Sequence, residues 1–384
     1  MANAPAPEVD RERLTAVVAG ALCRPIDALG EWTLAPIGYA AFNPVSQGLY
    51  RVAGSARSGG EDLSWSVVLK ICRAPREEDF ANIALDDREK LREVLRWDRE
   101  ADAYASGLLD TLPPGLAAPR CFGVDRHDDS AWLWMEYVVD ETVAWDTARY
   151  ALAARHLGRF NGMYLAGRPT PDYPWLSRNW LRDWVAYFTR TGGALLADDR
   201  VWAQPLAAEL FPPTARADLR RLLAEYDRWW RALDALPLVL SHLDAFRANI
   251  LSRAGRHGVE TVAIDWSFVG HAPLGAEVAH LVIASLFYHG DTGDPAELTS
   301  ECLRGYAEGL RDSGCDVPTD LRRAFVINAV ARWGFIFGPL GAVGDVAKED
   351  AIARRRGVPF RDVLALIAAK TSYLCELSRE VDVS

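Results

Sequence analysis

The first third of the chain contains several strand-like apolar runs, and in one of them, residues 65–73, hydrophobic and polar residues alternate. The extended runs are WTLAPIGYAAF at 32–42, GLYRVAGSAR at 48–57, WSVVLKICR at 65–73 and AWLWMEYVV at 131–139. Their β-branched and aromatic residues predict half-buried β-strands. The polar, glycine-containing stretch SARSGGED joins the second run to the third, as a hairpin turn would. Between residues 78 and 112 the apolar residues recur at helical spacing, which predicts one helix.

Beyond residue 140 the pattern changes to that of amphipathic helices. The predicted helices span 146–166, 177–189, 215–234, 277–288, 295–312, 318–336 and 359–378. Two short apolar runs, 237–242 and 260–265, predict strands between them. A small strand-rich part followed by a larger helical part predicts an α+β fold. At 384 residues the chain is long enough for two domains or two lobes, each with its own core.

Composition and charge narrow the classes of partner. Half the residues are hydrophobic and a quarter are charged, which is typical of a folded globular protein. The formal net charge is −10 and Lys and Arg form no block, so we expect no nucleic-acid partner. An acidic surface mildly favours neutral or cationic ligands.

Targeting and redox features indicate the cytosol. The N-terminal MANAPAPEVDRERL lacks a basic segment followed by an apolar core, so we predict no signal peptide. No apolar stretch approaches the roughly 20 residues that span a bilayer, and we expect no membrane association. The six cysteines form no CxxC pair and the seven histidines no HExxH motif. We therefore expect reduced thiols, no cysteine-based metal site and a cytoplasmic protein.

A cluster of polar residues follows the first C-terminal strand-like run. In PLVLSHLDAFRANIL, Asp244 and Asn249 lie five residues apart on a loop, and AIDW places Asp265 at the end of the next run. Mg²⁺ prefers oxygen ligands and is usually held by one or two protein groups together with substrate phosphates, which suits Asn249 and Asp265. Asp244 would remain free to accept a proton from an attacking hydroxyl. The structural alternative is that these residues cap turns, a common role for each taken alone.

The ordered set resembles a family signature. SHLDAFRANI followed by AIDW is similar to the pattern of the aminoglycoside phosphotransferase and choline kinase-like family, which is His-Gly-Asp, four residues, Asn, then Ile-Asp with Trp, Phe or Pro. The resemblance is strongest here and extends less tightly across residues 40–340. It implies a bilobal protein-kinase-like fold with an antiparallel-sheet N-lobe and a helical C-lobe, ATP or GTP as the donor, and Mg²⁺. It implies that Asp244 is the catalytic base and that Asn249 and Asp265 are metal ligands.

We expect residues 1–138 to form the nucleotide-binding N-lobe and residues 139–384 the C-lobe, with the catalytic loop and substrate-binding helices. Two positions depart from the family pattern, because Leu243 replaces the usual glycine and Arg247 lies inside the loop. Arg247 could pair with a phosphate or carboxylate of the substrate. A solvated loop arginine or a structural ion pair explains it equally well.

The implied fold requires a lysine on an N-lobe strand to hold the donor phosphates, paired with a carboxylate on a helix. Lys70 ends the alternating run SWSVVLK and is one of few lysines in the chain. A lysine within an apolar strand suggests a point charge with a specific role, although a snorkelling edge residue has the same pattern. Glu100 in RWDREADAYASGLL is the predicted partner, with Glu93 and Asp98 as competitors.

Other nucleotide contacts follow from position alone. The stretch NPVSQGLYRV at 43–52 occupies the place of the phosphate-covering loop, which makes Ser46, Gln47 and Gly48 candidate phosphate contacts. The sequence contains no GxxxxGK[ST] motif, so we expect no Walker-type site. The linker WMEYVVD would line the adenine pocket, with Glu136 and Val138 as backbone contacts.

Aromatic residues are the candidates for the acceptor site. The segment DYPWLSRNWLRDWVAYF contains Trp175, Trp180 and Trp184, and Trp333 follows later in the chain. Aromatic faces can stack on sugars or attract an ammonium group. Residues 180 and 184 also have helical spacing, so packing in the core is the alternative.

The residues and the resemblance predict an ATP-dependent phosphotransferase that moves a γ-phosphoryl group to a hydroxyl of a small molecule. The acceptor would be aminoglycoside-like, a sugar or another natural-product alcohol, and the role resistance to antibiotics, biosynthesis or metabolism. The alternative is a non-catalytic, kinase-like nucleotide-binding or scaffold protein, which the glycine-poor loop and Leu243 favour. A protein kinase is opposed by the His-Leu-Asp loop and by the lack of DFG and APE-like segments. The oligomeric state stays open.

Overall fold

The computed structural model of the protein describes residues 7–38, 45–80, 83–141, 145–256, 258–288 and 293–383. Residues 39–42 of the first predicted strand and residues 43 and 44 of the predicted phosphate-covering loop lie outside this part of the chain. The strands are β1 (Ala28–Pro36), β2 (Ser46–Ser58), β3 (Glu61–Arg73), β4 (Leu116–Ala117), β5 (Cys121–Arg126), β6 (Ser130–Glu136), β7 (Leu238–Ser241), β8 (Ile250–Gly255), β9 (Gly258–Ala263) and β10 (Gly270–Pro273). The helices are α1 (Arg11–Leu22), α2 (Leu85–Val94), α3 (Arg99–Ala105), α4 (Thr147–Leu165), α5 (Trp180–Ala197), α6 (Asp199–Trp202), α7 (Pro205–Leu210), α8 (Ala215–Ala224), α9 (Tyr226–Asp234), α10 (Ala276–Tyr288), α11 (Pro295–Asp312), α12 (Leu321–Trp333), α13 (Val346–Arg356) and α14 (Phe360–Ser378).

The N-terminal part contains a five-stranded antiparallel sheet in the order β1-β2-β3-β6-β5. Ser58 pairs with Glu61, which leaves Gly59 and Gly60 as the turn between β2 and β3. Both glycines have positive φ, 58° and 82°, as a tight two-residue hairpin needs. The sheet and the larger helical part that follows it confirm the predicted α+β class.

Alternation along β3 directs its side chains into two layers. Leu69 and Ile71 are buried in the core shared with α1. Lys70 and Cys72 project from the other face, where Cys72 packs in a second small core with Ala101 of α3. The strand therefore places Lys70 on the side of the sheet that faces α3.

The single helix predicted for residues 78–112 is wrong, because the segment divides into α2 and α3. Arg99, at the start of α3, is fully buried. Its guanidinium donates to the carbonyl of Glu93 at 2.7 Å and to that of Val94 at 3.2 Å. Carbonyls at a helix end have no partner within the helix, so Arg99 stabilises the end of α2. The apolar periodicity continues across this break and does not reveal it.

In the C-terminal part, α4 and α11 approach each other closely. A Cβ atom on Gly305 would lie 2.1 Å from the carbonyl oxygen of Ala151, and one on Gly309 would lie 2.0 Å from that of Arg155. No other residue type permits these distances, so the glycines set the separation of the two helices.

Asn161 connects this helix pair to the short strand β7. Its amide nitrogen donates to the carbonyl of Leu240 at 2.8 Å, and its amide oxygen accepts from the hydroxyl of Tyr306 on α11 at 2.5 Å. All three residues are buried, where an unmet polar group is costly. The hydrogen bonds therefore fix the strand that leads into the polar loop.

The strands predicted at 237–242 and 260–265 are present but are not neighbours. β7 pairs with β10, whereas β9 pairs with β8 and with the short β4. In the β8–β9 hairpin Ile250 pairs with Ala263, and the N–H of Ile264 donates to the carbonyl of Asn249 at 2.9 Å. The start of β8 and the end of β9 therefore lie side by side, next to the loop that follows β7.

One helical stretch in the described part of the chain, Leu321–Ala342, is long and apolar enough to cross a membrane by composition, so the expectation that no apolar stretch approaches this length is wrong. The protein buries 83% of its most apolar window. A core helix of a folded protein has this property, since its apolar surface is covered by neighbouring helices. All six cysteines are free thiols.

Lys370 on α14 is buried without a carboxylate among the partners that the structure gives it. Its ammonium donates to the carbonyl of Ile336 at 2.5 Å and to that of Trp333 at 3.3 Å. It also lies 4.6 Å from the centre of the Phe287 ring. Burial lowers the pKa of Lys370 to about 7, because the charged form loses its hydration.

The lowered pKa of Lys370 predicts how the free energy of unfolding depends on pH. Between pH 7 and the ordinary lysine pKa of 10.5, the unfolded chain holds a proton on Lys370 that the folded chain has released. Stability therefore rises with pH in this window. We expect the free energy of unfolding of the natural protein, minus that of Lys370→Met, to increase by about 2 kcal/mol between pH 7 and pH 9. Urea unfolding of both proteins at the two pH values measures this difference, and a pH-independent difference would contradict it.

Candidate active site

The loop after β7 is held from beneath by a buried carboxylate. Glu277, in the first turn of α10, accepts the N–H of His242 at 2.7 Å. Burial raises the pKa of Glu277 to about 7, although this hydrogen bond and the backbone N–H groups of Leu243 and Ala245 act in the opposite direction. Glu277 was not among the residues predicted from the sequence. A single carboxylate in the apolar run AEVAHLVIASLFY was the available signal, since such a group needs partners when it is buried.

Leu243 occupies the position at which the family pattern has a glycine, and the structure explains how a leucine fits there. Its φ is 68°, in the left-handed region that glycine adopts without strain. The side chain is fully buried, and its carbonyl accepts from Nη1 of Arg332 at 2.9 Å. Packing and this hydrogen bond therefore hold a leucine in a conformation that costs about 1–2 kcal/mol for a side-chain-bearing residue.

Asp244 is the next residue, and both of its carboxylate oxygens have close neighbours. Oδ2 accepts from the amide nitrogen of Asn249 at 2.7 Å, and Oδ1 lies 3.0 Å from Nε2 of His280. Nη2 of Arg332 lies farther away, 3.9 Å from Oδ1. Burial raises the pKa of Asp244 well above its usual value, against the attraction of Arg332 and aided by repulsion from Asp265. Its side chain is 19% exposed, so it is reachable from solvent.

Asp265 lies at the end of β9, in a left-handed conformation with φ of 61°. Its Oδ1 accepts from the hydroxyl of Ser267 at 2.8 Å and from the ammonium of Lys70 at 2.9 Å. Burial alone would raise the pKa of Asp265, but the charge of Lys70 and these hydrogen bonds lower it. The group is therefore an ionised carboxylate, and its side chain is 35% exposed.

Lys70 joins the sheet to this loop region through two ion pairs. Its Nζ lies 2.5 Å from Oε2 of Glu100 on α3 as well as 2.9 Å from Asp265. Burial lowers the pKa of Lys70, but the two carboxylates outweigh it and the net shift is upward.

The two other carboxylates that could have paired with this lysine have partners of their own. Glu93 pairs with Arg99, and Asp98 pairs with Arg96. The structure thus brings Lys70 together with the predicted helical partner.

Asn249 and Asp265 offer oxygen atoms that suit a hard cation. The amide nitrogen of Asn249 is engaged by Asp244, which leaves its amide oxygen as the atom available for other contacts. In the described residues no group of three or more His, Cys, Asp or Glu side chains could hold a metal alone. One carboxylate and one amide therefore fit an ion such as Mg²⁺ that takes its remaining ligands from substrate phosphates and water.

Comparison with known proteins identifies the family. Residues 60–314 match the model of the phosphotransferase enzyme family designated APH. The chain belongs to this family. Membership makes it a small-molecule kinase, as the sequence predicts. No curated protein matches the sequence significantly.

Solved structures of other phosphotransferases share its fold. An ethanolamine kinase of Plasmodium vivax is 12% identical over 93% of this chain and 86% of that one, with a TM-score of 0.53. A choline kinase of Cryptosporidium parvum is 12% identical over 97% and 96%, with a TM-score of 0.52. An aminoglycoside phosphotransferase of Alicyclobacillus acidocaldarius is 16% identical over 99% and 98%, with a TM-score of 0.52. These likenesses confirm the bilobal kinase-like fold.

The candidate nucleotide contacts of this phosphotransferase lie in different places. Ser46, Gln47 and Gly48 form the start of β2. Gln47 lines a cavity of about 290 Å³ with Ile71, on the face of the sheet opposite to Lys70. A phosphate contact through the Gln47 side chain therefore has no support in the fold.

The predicted linker residues lie at the end of the sheet. Glu136 ends β6, its N–H donates to the carbonyl of Arg120 at 2.8 Å, and its carboxylate pairs with Arg253 of β8 at 3.1 Å. Because that N–H is already used, adenine recognition would fall to other backbone groups of the linker. Val138 is half-buried two residues farther on.

Arg247 does not extend toward Asp244. It pairs with Asp140 at 3.2 Å and lies 4.8 Å from the centre of the Trp145 ring. The N–H of Ser252 donates to the same aspartate at 3.0 Å. This environment matches the structural ion pair that was the alternative to a substrate contact.

Most of the candidate tryptophans are core residues. Trp175 is buried and stacks on Tyr173, with ring centres 5.1 Å apart. Trp180 is buried and stacks on the partly buried Trp184 at 5.5 Å. Trp333 is buried as well. Core packing therefore describes these side chains, but the ring of Trp180 also lies 4.7 Å from the guanidinium of Arg332, next to Asp244.

Proposed function

We propose that the protein is an ATP-dependent phosphotransferase that moves the γ-phosphoryl group to a hydroxyl of a small molecule. The observation that carries the proposal is the double ion pair of Lys70 with Glu100 and Asp265, at 2.5 and 2.9 Å, beside the loop that holds Asp244 and Asn249. A buried cation, a carboxylate suited to metal binding and a separate, partly buried carboxylate are the groups that phosphoryl transfer needs.

In the proposed reaction Asp244 is the base. It would accept the proton of the acceptor hydroxyl while that oxygen forms a bond to the γ-phosphorus and the bond between the phosphorus and the β–γ bridging oxygen breaks. A carboxylate whose pKa is raised by burial is a stronger base than an exposed one, which supports this role. The nucleoside diphosphate leaves with the bridging oxygen.

Lys70 would bind the donor phosphates, and Glu100 would hold its ammonium in place. Asn249 and Asp265 would hold Mg²⁺, which when bound neutralises charge on the phosphates. The same residues could bind the phosphates of GTP, which is also a purine nucleoside triphosphate. We propose ATP as the donor. We place the lobes at residues 1–138 and 139–384, with the nucleotide between them.

The acceptor would be aminoglycoside-like, a sugar or another natural-product alcohol. The similar structures are named for kinases of ethanolamine and choline and for an aminoglycoside phosphotransferase, all of which act on small molecules that carry a hydroxyl.

The test is an acceptor panel. The protein is incubated with Mg²⁺, ATP or GTP, and aminoglycosides, amino alcohols, sugars and other natural-product alcohols, and each acceptor is examined by mass spectrometry for the gain of one phosphate. We expect one class to be phosphorylated by the natural protein, and Asp244→Asn and omission of Mg²⁺ serve as controls. Binding of the Mg²⁺–nucleotide complex without transfer to any acceptor would instead support the non-catalytic alternative.

A further inference from the structure

Arg332 on α12 is a buried arginine whose guanidinium reaches the loop after β7. Nη1 donates to the carbonyl of Leu243 at 2.9 Å. The guanidinium also lies 4.7 Å from the centre of the Trp180 ring and 5.4 Å from that of the Trp333 ring. A planar guanidinium stacks well on aromatic faces, so the two rings hold it with its donor directed at the loop backbone.

The hydrogen bond from Arg332 acts on a residue with an unfavourable backbone conformation. Leu243 has a φ of 68°, in the region that glycine enters freely and that a residue with a Cβ atom enters only at a cost. On its N-terminal side the carboxylate of Glu277 accepts the N–H of His242 at 2.7 Å. On its C-terminal side Arg332 holds the carbonyl. A carboxylate and a guanidinium therefore hold the backbone on either side of Leu243.

The peptide group that Arg332 holds leads directly into Asp244. At its other end, the N–H of Asp244 donates to Nδ1 of His242 at 3.2 Å. Because a peptide group is planar, hydrogen bonds at both ends fix its orientation, which sets the direction in which the Asp244 side chain leaves the backbone. Nη2 of Arg332 stays 3.9 Å from Oδ1 of Asp244, beyond hydrogen-bonding distance. The arginine therefore holds the backbone and leaves the carboxylate available for a proton.

We propose that Arg332 is a positioning residue that holds the peptide group between Leu243 and Asp244 and so directs Asp244 at the acceptor; this inference rests on the proposed function of that site. The family pattern has a glycine where this chain has Leu243, and a glycine needs no such support to adopt a positive φ. Arg332 would compensate for the leucine. Transfer depends steeply on alignment, since a displacement of 1 Å can cost about 10²-fold in rate.

The first test removes the guanidinium. Arg332→Met keeps an unbranched side chain between the tryptophans, and we expect kcat to fall about 10²-fold while the KM for the nucleotide changes little, because Lys70 is unaltered. Lys370→Met is the matched control, since it also removes a buried cation, one that donates to the carbonyls of Trp333 and Ile336. Its kcat should stay near that of the natural protein. An equal fall in both variants, or full activity of Arg332→Met, would overturn the proposal.

The second test asks whether Arg332 acts through the leucine. Glycine adopts a φ of 68° freely, so Leu243→Gly should make the turn less dependent on Arg332. We expect Leu243→Gly/Arg332→Met to transfer phosphate about tenfold faster than Arg332→Met, because the two residues are coupled through one hydrogen bond. A double variant no faster than Arg332→Met would contradict this. If thermal unfolding shows that glycine leaves too large a cavity, Leu243→Asn takes its place, since asparagine also tolerates the left-handed region and fills more of the space.

Hydrogen exchange keeps the inference independent of the acceptor. Without any substrate, we expect the backbone amides of residues 242–245 to exchange about tenfold faster in Arg332→Met than in the natural protein, the ratio for loss of one hydrogen bond to a charged group. Lys370→Met should leave their exchange unchanged. Unchanged exchange in Arg332→Met would overturn the proposal even if no acceptor were phosphorylated. Faster exchange in Arg332→Met, with no transfer by the natural protein across the whole panel, would count against the proposed function alone.

Discussion

Asp244→Asn is expected to lower kcat for phosphoryl transfer by about 10²–10⁴-fold, the range for loss of a general base. The amide keeps the size of the carboxylate but cannot accept the proton of the acceptor hydroxyl. The fold should tolerate the change, because one side of the new amide can still accept from Asn249. The other side would face the ring of His280, whose Nε2 lies 3.0 Å from Oδ1 of Asp244.

Nucleotide binding distinguishes loss of the base from loss of the site. Lys70 and Asp265 do not change in this variant, so titration calorimetry should give a dissociation constant for the Mg²⁺–nucleotide complex within about threefold of that of the natural protein, well under the tenfold that 1.4 kcal/mol represents. Single-turnover transfer and thermal unfolding complete the measurement. Unchanged transfer by Asp244→Asn would remove Asp244 from the role of base, and loss of nucleotide binding would assign it to the donor site instead.

The residues proposed to carry the chemistry could be predicted from the sequence, because most of them form a motif with short, characteristic spacing. Asp244, Asn249 and Asp265 are close in sequence, and the hairpin of β8 and β9 needs few long-range contacts to bring two of them together. Lys70 was predictable from a conflict between its charge and the apolar strand around it, and the fold explains that conflict by directing it toward Glu100.

The supporting residues were not predictable, because they depend on tertiary packing. Glu277 and His280 come from α10, whose apolar sequence reads as an ordinary core helix. Arg99 ends a helix that the apolar periodicity would continue. The helix α1 in the N-terminal region was not predicted from the sequence, and it covers one face of the sheet. Tertiary context decides such features, and propensity carries little information about them.

Packing also decides whether the candidate tryptophans are core residues or contacts to the acceptor. Trp180 and Trp184 have helical spacing and large apolar faces, which suit a core and a ligand site equally. The burial of Trp180 and its stacking on Trp184 favour the core. Its additional contact with Arg332 means that the core of the helical part extends to the neighbourhood of Asp244, the proposed base. We therefore expect packing changes there to alter catalysis without altering any proposed catalytic group.

Lys70→Met is expected to lower both stability and activity. The side chain of Glu100 is 1% exposed, so removal of its cation leaves a buried carboxylate without its ion-pair partner. Breaking such a pair typically costs about 3–5 kcal/mol, because the remaining charge keeps its full desolvation penalty. Asp265 is less affected, since its side chain is partly exposed and water can replace the ammonium. We expect transfer to fall by at least about 10²-fold, the scale for loss of one preorganised charge-stabilising group.

The double variant Lys70→Met/Glu100→Gln separates these two effects. A neutral amide has no buried charge, so we expect the double variant to recover most of the lost free energy of unfolding while transfer stays abolished. Burial already raises the pKa of Glu100, and loss of Lys70 raises it further. A raised carboxyl pKa stabilises the folded chain as pH falls, so the deficit of Lys70→Met relative to the double variant should shrink from pH 8 toward pH 5. Urea unfolding across that range measures the deficit. Equal stability of the single and double variants at pH 8 would mean that Lys70 and Glu100 are not an energetically coupled pair.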